Sequence, residues 1–209
     1  MKTGIFYIGR LLSYVYPFSV HKRMCVLLQA SFNLTYSAWK SSLFKSFGEK
    51  SIIEYPSRVT GEKYIDIKDN VIIGSRAVLS AWDSHRDLTF SPNISIGNNT
   101  SIGEYCHISA INKIEIGDNV LTGRWVTIVD NAHGTTEMEM RNIAPAKRPL
   151  YSKGIIKIED NVWIGDKVTI LAGVIIGKGC IIGANTVVTK SVPNGSLVIG
   201  NPMIIRNCL

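Results

Sequence analysis

The chain runs to 209 residues, 45% of them apolar and 19% charged, which suits one globular domain with a substantial core and excludes a disordered polymer. Its net charge of +7 is unevenly placed: residues 1–63 hold nine Lys/Arg against three Asp/Glu, whereas residues 64–209 hold fourteen against thirteen. The basic character therefore belongs to the N-terminal segment, where it fits nucleic acid, anionic lipid or an anionic substrate without choosing among them. The four cysteines (Cys25, Cys106, Cys180 and Cys208) form no C-x-x-C pair. That argues for free thiols in a reducing compartment, against both a disulfide framework and a zinc knuckle. No uninterrupted apolar run reaches the roughly 18 residues of a spanning helix, and no signal-peptide cleavage pattern is present. The expected location is the cytoplasm.

Residues 1–60 read as an N-terminal helical, basic segment. The clusters "IFYIGRLLSYVYPF", "CVLLQASFNLTY" and "SAWKSSLFKSF" alternate aromatic and aliphatic residues with single basic ones. Pro17 cannot continue a helix comfortably and divides two helical pieces. These pieces can pack on the open end of the repeat that follows and cover its unpaired strand edges. They can also lie on a membrane surface, aromatics in the interface and Lys22, Arg23, Lys40 and Lys45 toward anionic headgroups. The two roles are compatible.

Residues 61–206 carry an internal repeat, and its period decides the fold. From 158 onward Ile158, Ile164, Ile170, Ile176, Ile182 and Val188 fall six apart, with a second rail at Val162, Val168, Val174 and Cys180. The same rails run through Ile67, Ile73 and Leu79, then through Ile96, Ile102 and Ile108. A slip of two precedes Ile116, Thr122 and Ile128, which predicts a small bulge. Six is no helical period, since successive sixes would fall on different helix faces. It suits a short strand and a tight corner, three to a turn, with the aliphatic inward and Gly, Asn or Asp absorbing the corner angles. The predicted fold is mainly β: a triangular parallel β-solenoid with an N-terminal helical segment. A TIM barrel or doubly wound sheet needs helical spacers between strands, which this stretch lacks. Two loops break the beat, at 80–93 ("SAWDSHRDLTFSPN") and at 129–155, the latter beginning "DNAH" directly after a core strand.

The near-copies "IKDNVIIG", "IGDNVLTG" and "IEDNVWIG", the run "DNVWIGDKVTILAGVIIGKGCIIGANTVVTKSVP" and the closing "GNP" resemble the hexapeptide-repeat acyltransferases. The likeness is strongest to the sugar and polysaccharide O-acetyltransferases, relatives of the galactoside, maltose and virginiamycin acetyltransferases, and covers roughly 64–206. It implies a left-handed parallel β-helix, an exception to the usual right-handed crossover. It also implies a homotrimer with active sites between adjacent prisms, acetyl-CoA as co-substrate in the intersubunit groove, and 129–155 as the active-site loop.

The resemblance places the catalytic histidine at His133, in the loop that leaves the strand after "GDNV". An imidazole with a pKa near 6.5 is suited to take the proton of a sugar hydroxyl as it attacks a thioester. Asp130, three residues earlier, either orients that ring or is a corner residue capping its own backbone. His85 and Asp83, in the first loop, are candidates to line the acceptor pocket, while His107 is expected to point out of its coil. Trp163 falls just before a rail position and so faces outward, as a subunit-contact residue or a wall of the acceptor site. Ala184, Thr189 and Lys190 match the family's coenzyme-binding run, Lys190 as a point charge for a phosphate or as a solvated corner residue. Where relatives often carry paired arginines after "GNP", this chain supplies Arg206.

The γ-class carbonic anhydrases share such a solenoid and bind zinc through three histidines, two closely spaced. Here His21, His85, His107 and His133 are well separated in sequence, and no metal is expected. The reading is O-acetyl transfer to a sugar in surface polysaccharide synthesis (capsule, O-antigen or exopolysaccharide), with an acceptor that can be lipid-linked and no nucleic acid partner. Alternatives are N-acetylation of an amino sugar, acetylation of a xenobiotic, and a non-catalytic trimeric scaffold.

Overall fold

The computed structural model describes residues 2–15 and 18–207. Two helices, α1 (Lys2–Val15) and α2 (Phe18–Ser41), precede a prism of short strands. The predicted break at Pro17 lies outside the described residues, as does Cys208. Cys25, Cys106 and Cys180 are unpaired thiols.

Each coil supplies one strand to each of three sheets, and neighbouring coils pair in parallel. The first sheet stacks Ser46–Phe47, Ile65–Ile67, Asn93–Ile96, Lys113–Ile116, Ile156–Ile158 and Ile175–Ile176. The second runs from Ile52–Ile53 through Ile72–Ile73, Ser101–Ile102, Leu121–Thr122, Trp163–Ile164 and Ile181–Ile182 to Ser196–Ile199. Ile204–Asn207 folds back antiparallel on that last strand. The third stacks Arg58–Thr60, Val78–Ala81, His107–Ala110, Thr127–Val129, Thr169–Leu171 and Val187–Val188.

The period-six rails are the core. Ile73, Ile102, Ile164 and Ile182 form one buried column of the second sheet, and Leu79, Ile108, Ile128, Ile170 and Val188 another in the third. Each full burial of such a side chain stabilises by about 1.5–3 kcal/mol. The repeated Asp-Asn pair has two distinct jobs at one corner. Asn70, Asn99, Asn119 and Asn161 take the left-handed conformation, with φ between 55° and 59°. The residue before each accepts the free amide of the preceding coil: Asp69 from Glu49 at 2.7 Å, Asp118 from Asn98 at 2.7 Å, Asp160 from Asp118 at 3.0 Å. Glycine is required where coils touch; a Cβ on Gly123 would stand 2.1 Å from Asp166 Oδ1.

The solenoid begins earlier than residue 61. Ser46–Phe47 already pairs with Asp66–Ile67, so the boundary falls near residue 45. Phe47, Ile53 and Val59 are six apart, but the corner before Ile65 contains a 3-10 turn (Glu62–Tyr64) that puts this coil out of phase with the next. The last turns of α2 close the open end with polar side chains. Ser37 Oγ accepts the Ile53 amide at 2.8 Å, Asn33 Oδ1 accepts that of Tyr55 at 3.1 Å, and the Tyr36 hydroxyl donates to the Ser57 carbonyl. These are the groups a further strand would pair, so the helix answers the edge directly.

All departures from the beat sit at one corner, between the third sheet and the first. There the chain makes the 3-10 turn, the hairpin Ser84–His85/Leu88–Thr89, the predicted two-residue bulge at Ile111 and Asn112, and the long loop after Val129.

Candidate active site

Stacking puts the loops that issue from one corner side by side, although they are far apart in sequence. The long loop leaves as an antiparallel ribbon in which Ala132 pairs with Tyr151 and His133 with Leu150. Gly134, at φ 78°, donates to the Pro149 carbonyl at 2.8 Å and turns the chain away. His133 is thus exposed but tied to a short rigid neck, and its ring makes no hydrogen bond among the described residues.

The first loop reaches the same place. Its base is held through Asp83, whose carboxylate accepts the Tyr64 hydroxyl at 2.9 Å and pairs with Lys63 at 3.2 Å. Those two partners hold the Asp83 carboxyl below its usual range. At its tip, Arg86 donates to the Ala146 carbonyl of the long loop at 2.6 Å. Between base and tip, His85 meets His133 edge to face, ring centres 5.9 Å apart and planes at 73°. His85 Nε2 is buried without a hydrogen-bond partner, an arrangement that costs stability and is relieved by a polar ligand.

Asp130 is fully buried. Its carboxylate accepts the amides of Ile111 and Asn112, each at 2.9 Å, and Asn131 Nδ2 at 3.3 Å. The carboxylate thus caps the neighbouring coil's corner at the bulge and not its own backbone. Burial nevertheless lifts its carboxyl above the ordinary range, the amides pulling the other way.

The remaining candidates divide by face. Thr189 and Lys190 follow the last third-sheet strand, at the same corner as His133 but two coils along, about 10 Å at the usual strand spacing. The Thr189 amide donates to Met203 Sδ. Ala184 sits at the other edge of the third sheet, against Gly165. Arg206 lies in the closing strand opposite Leu197. Trp163 is half exposed on the second sheet between Leu121 and Ile181, the face opposite the His133 corner. His107 points outward on the third sheet, and its partial withdrawal from water lowers its pKa. Among the described residues no three metal-ligating side chains gather at one point.

The interlocking of the two loops was not legible in sequence; the one available signal was that both follow third-sheet strands. Three strands to a coil and parallel stacking define a parallel β-solenoid, with histidine-bearing loops gathered at one of its corners. The profile of the bacterial transferase hexapeptide (six repeats) matches residues 155–190. The putative lipopolysaccharide biosynthesis O-acetyl transferase WbbJ of Escherichia coli (strain K12) is 33% identical over 155 residues, covering 72% of this chain and 75% of that one. Two further curated relatives are longer, and the chain spans 42% and 50% of their length. Among solved structures, the hexapeptide-repeat acetyltransferase VCA0836 of Vibrio cholerae O1 biovar eltor, complexed with acetyl-coenzyme A, is 27% identical. It gives a TM-score of 0.53 over 82% of this chain and 75% of its own. AntD, an N-acyltransferase from Bacillus cereus, gives 0.64 at 18% identity over 82% and 87%, a likeness of fold alone. The chain belongs to the hexapeptide-repeat acyltransferases, and its solenoid is the left-handed β-helix of that family.

Proposed function

We propose that this enzyme transfers acetyl from acetyl-CoA to a hydroxyl of a sugar in surface polysaccharide synthesis, with His133 as general base. The observation that carries the reading is the His133–His85 pair, held by two interlocked loops at the corner where the coenzyme run also ends. A relative named as a lipopolysaccharide O-acetyl transferase supports the sugar hydroxyl, and a neighbour solved with acetyl-coenzyme A supports the donor. In the step, the hydroxyl oxygen attacks the thioester carbonyl while His133 takes its proton. The C–S bond then breaks, and the proton passes to the departing thiolate. His85 Nε2 gives the acceptor a second polar contact. Asp130 acts as a positioning residue through the corner it caps, and Asp83 through the hairpin it anchors. Lys190 meets a coenzyme phosphate next to Thr189, with Ala184 at the other edge of the third sheet and Arg206 in the closing strand as further coenzyme contacts.

A homotrimer is part of this reading. Trp163 and His133 lie on opposite sides of one prism, so they share a site only between copies. The second face also carries exposed Ile72, Leu121, Trp163 and Ile181, an apolar stripe suited to a neighbouring subunit.

Replacement of His133 by Ala tests the base. Turnover should fall by roughly two to four orders of magnitude, with unchanged circular dichroism and thermal unfolding. Near-normal transfer by the variant overturns the assignment.

A further inference from the structure

The helix α2 is inverted with respect to a normal surface helix. The side turned to the solenoid docks mainly through polar groups: Asn33, Ser37 and Lys40 bond to the first coil or its corner, with Tyr36 packed against the core beside them. Elsewhere around the helix, Val20, Met24, Leu27 and Leu34 recur at helical spacing, and all are exposed, Leu27 by 67% and Leu34 by 54%. Soluble domains place such a stripe against their core. In α1, Ile5, Ile8 and Leu12 form a second stripe, exposed by 65%, 62% and 53%, with Gly9, Arg10 and Ser13 on the other arc. No helix among the described residues is long and apolar enough to cross a membrane.

The charge selects the partner. Residues 1–48 contain six Lys/Arg and no Asp or Glu. Two copies of such helices repel each other, whereas an anionic bilayer offers headgroups to the bases and acyl chains to the stripes. We infer that α1 and the first half of α2 lie in the interface of an anionic lipid bilayer, with the polar face of α2 fastening the solenoid end-on to them. This rests on the acetyltransferase reading only for its use, which is to bring the enzyme to a lipid-linked acceptor.

The test is flotation of the full-length protein with vesicles of phosphatidylcholine alone or with added phosphatidylglycerol. The protein should float with the anionic vesicles and be released by salt. Neutralising Lys22 and Arg23 together should weaken binding by about fivefold per base, the ordinary contribution of a cation near such a surface. Met24→Glu with Leu27→Glu should abolish binding while acetyl transfer to a soluble acceptor persists. Absence of flotation at low salt overturns the inference, as does equal binding by the Met24/Leu27 variant. So does wild-type self-association that the same two substitutions remove, since a second copy would then cover the stripe. Flotation without acetyl transfer would instead strike the enzymatic reading and leave the membrane contact standing.

Discussion

Asp130→Ala separates a structural role from a catalytic one. The substitution removes the acceptor for the buried amide of Ile111 and the part-buried amide of Asn112, each 2.9 Å from a carboxylate oxygen. The orphaned Ile111 donor costs about 1–3 kcal/mol and the Asn112 donor, within reach of water, adds less, a sizeable part of the roughly 5–15 kcal/mol that holds a domain together. Asn131 retains its bonds to the Ser109 carbonyl and hydroxyl, which keeps the damage local. Asp130→Asn should fall between, because its amide group faces one N–H with an oxygen and the other with a donor. The assay is denaturant unfolding at fixed protein concentration, with the midpoint moving and the slope unchanged.

The pH dependence has a definite sign. Burial raises the Asp130 carboxyl in the folded state, so folding binds this proton more tightly than the unfolded chain does. That contribution is fullest at acid pH, below the unfolded value, and shrinks as pH rises through the folded one. The stability gap between wild type and Asp130→Ala should accordingly be wider near about pH 4 than near about pH 7. Wild-type stability in the variant, with turnover collapsed, would refute the cap and return Asp130 to direct contact with His133.

Two further predictions concern coenzyme and assembly. Lys190→Ala should raise the apparent Michaelis constant for acetyl-CoA more than it lowers turnover, in steady-state kinetics at saturating acceptor; the reverse split contradicts a phosphate contact. Inactive His133→Ala and Trp163→Ala proteins, unfolded and reassembled together at equal concentration, should recover up to about a quarter of wild-type activity if each site draws on two copies. No recovery from verified mixed trimers contradicts the shared site.

The solenoid was legible because its physics is local. One inward aliphatic every six residues and an Asp-Asn corner repeat are visible without any tertiary information, and that spacing alone places Ile164, Ile170 and Ile176 in the core. The first coil was missed because the Glu62–Tyr64 turn shifts Phe47, Ile53 and Val59 out of register with the rails after them. His133 is singled out by the resemblance of its loop to that of the family, and its role belongs to the proposed function. That His85 reaches it depends on counting coils and on the Arg86–Ala146 bond, which no spacing announces. Asp130 illustrates the same limit: its partners lie in the neighbouring coil, eighteen and nineteen residues away. The apolar clusters of α2 are legible in sequence, but the direction they face is not. Only the docking of Asn33 and Ser37 on the open edge turns that arc outward.

The central claim, acetyl transfer to a sugar hydroxyl with His133 as base, is tested most directly by following label from radiolabelled acetyl-CoA. The panel of acceptors should span nucleotide sugars, oligosaccharides and lipid-linked glycans. The account predicts label on a glycan in a linkage released by mild alkali, as an ester is, and its loss with His133→Ala. Label held in an alkali-stable amide, or transfer undiminished in that variant, would contradict it.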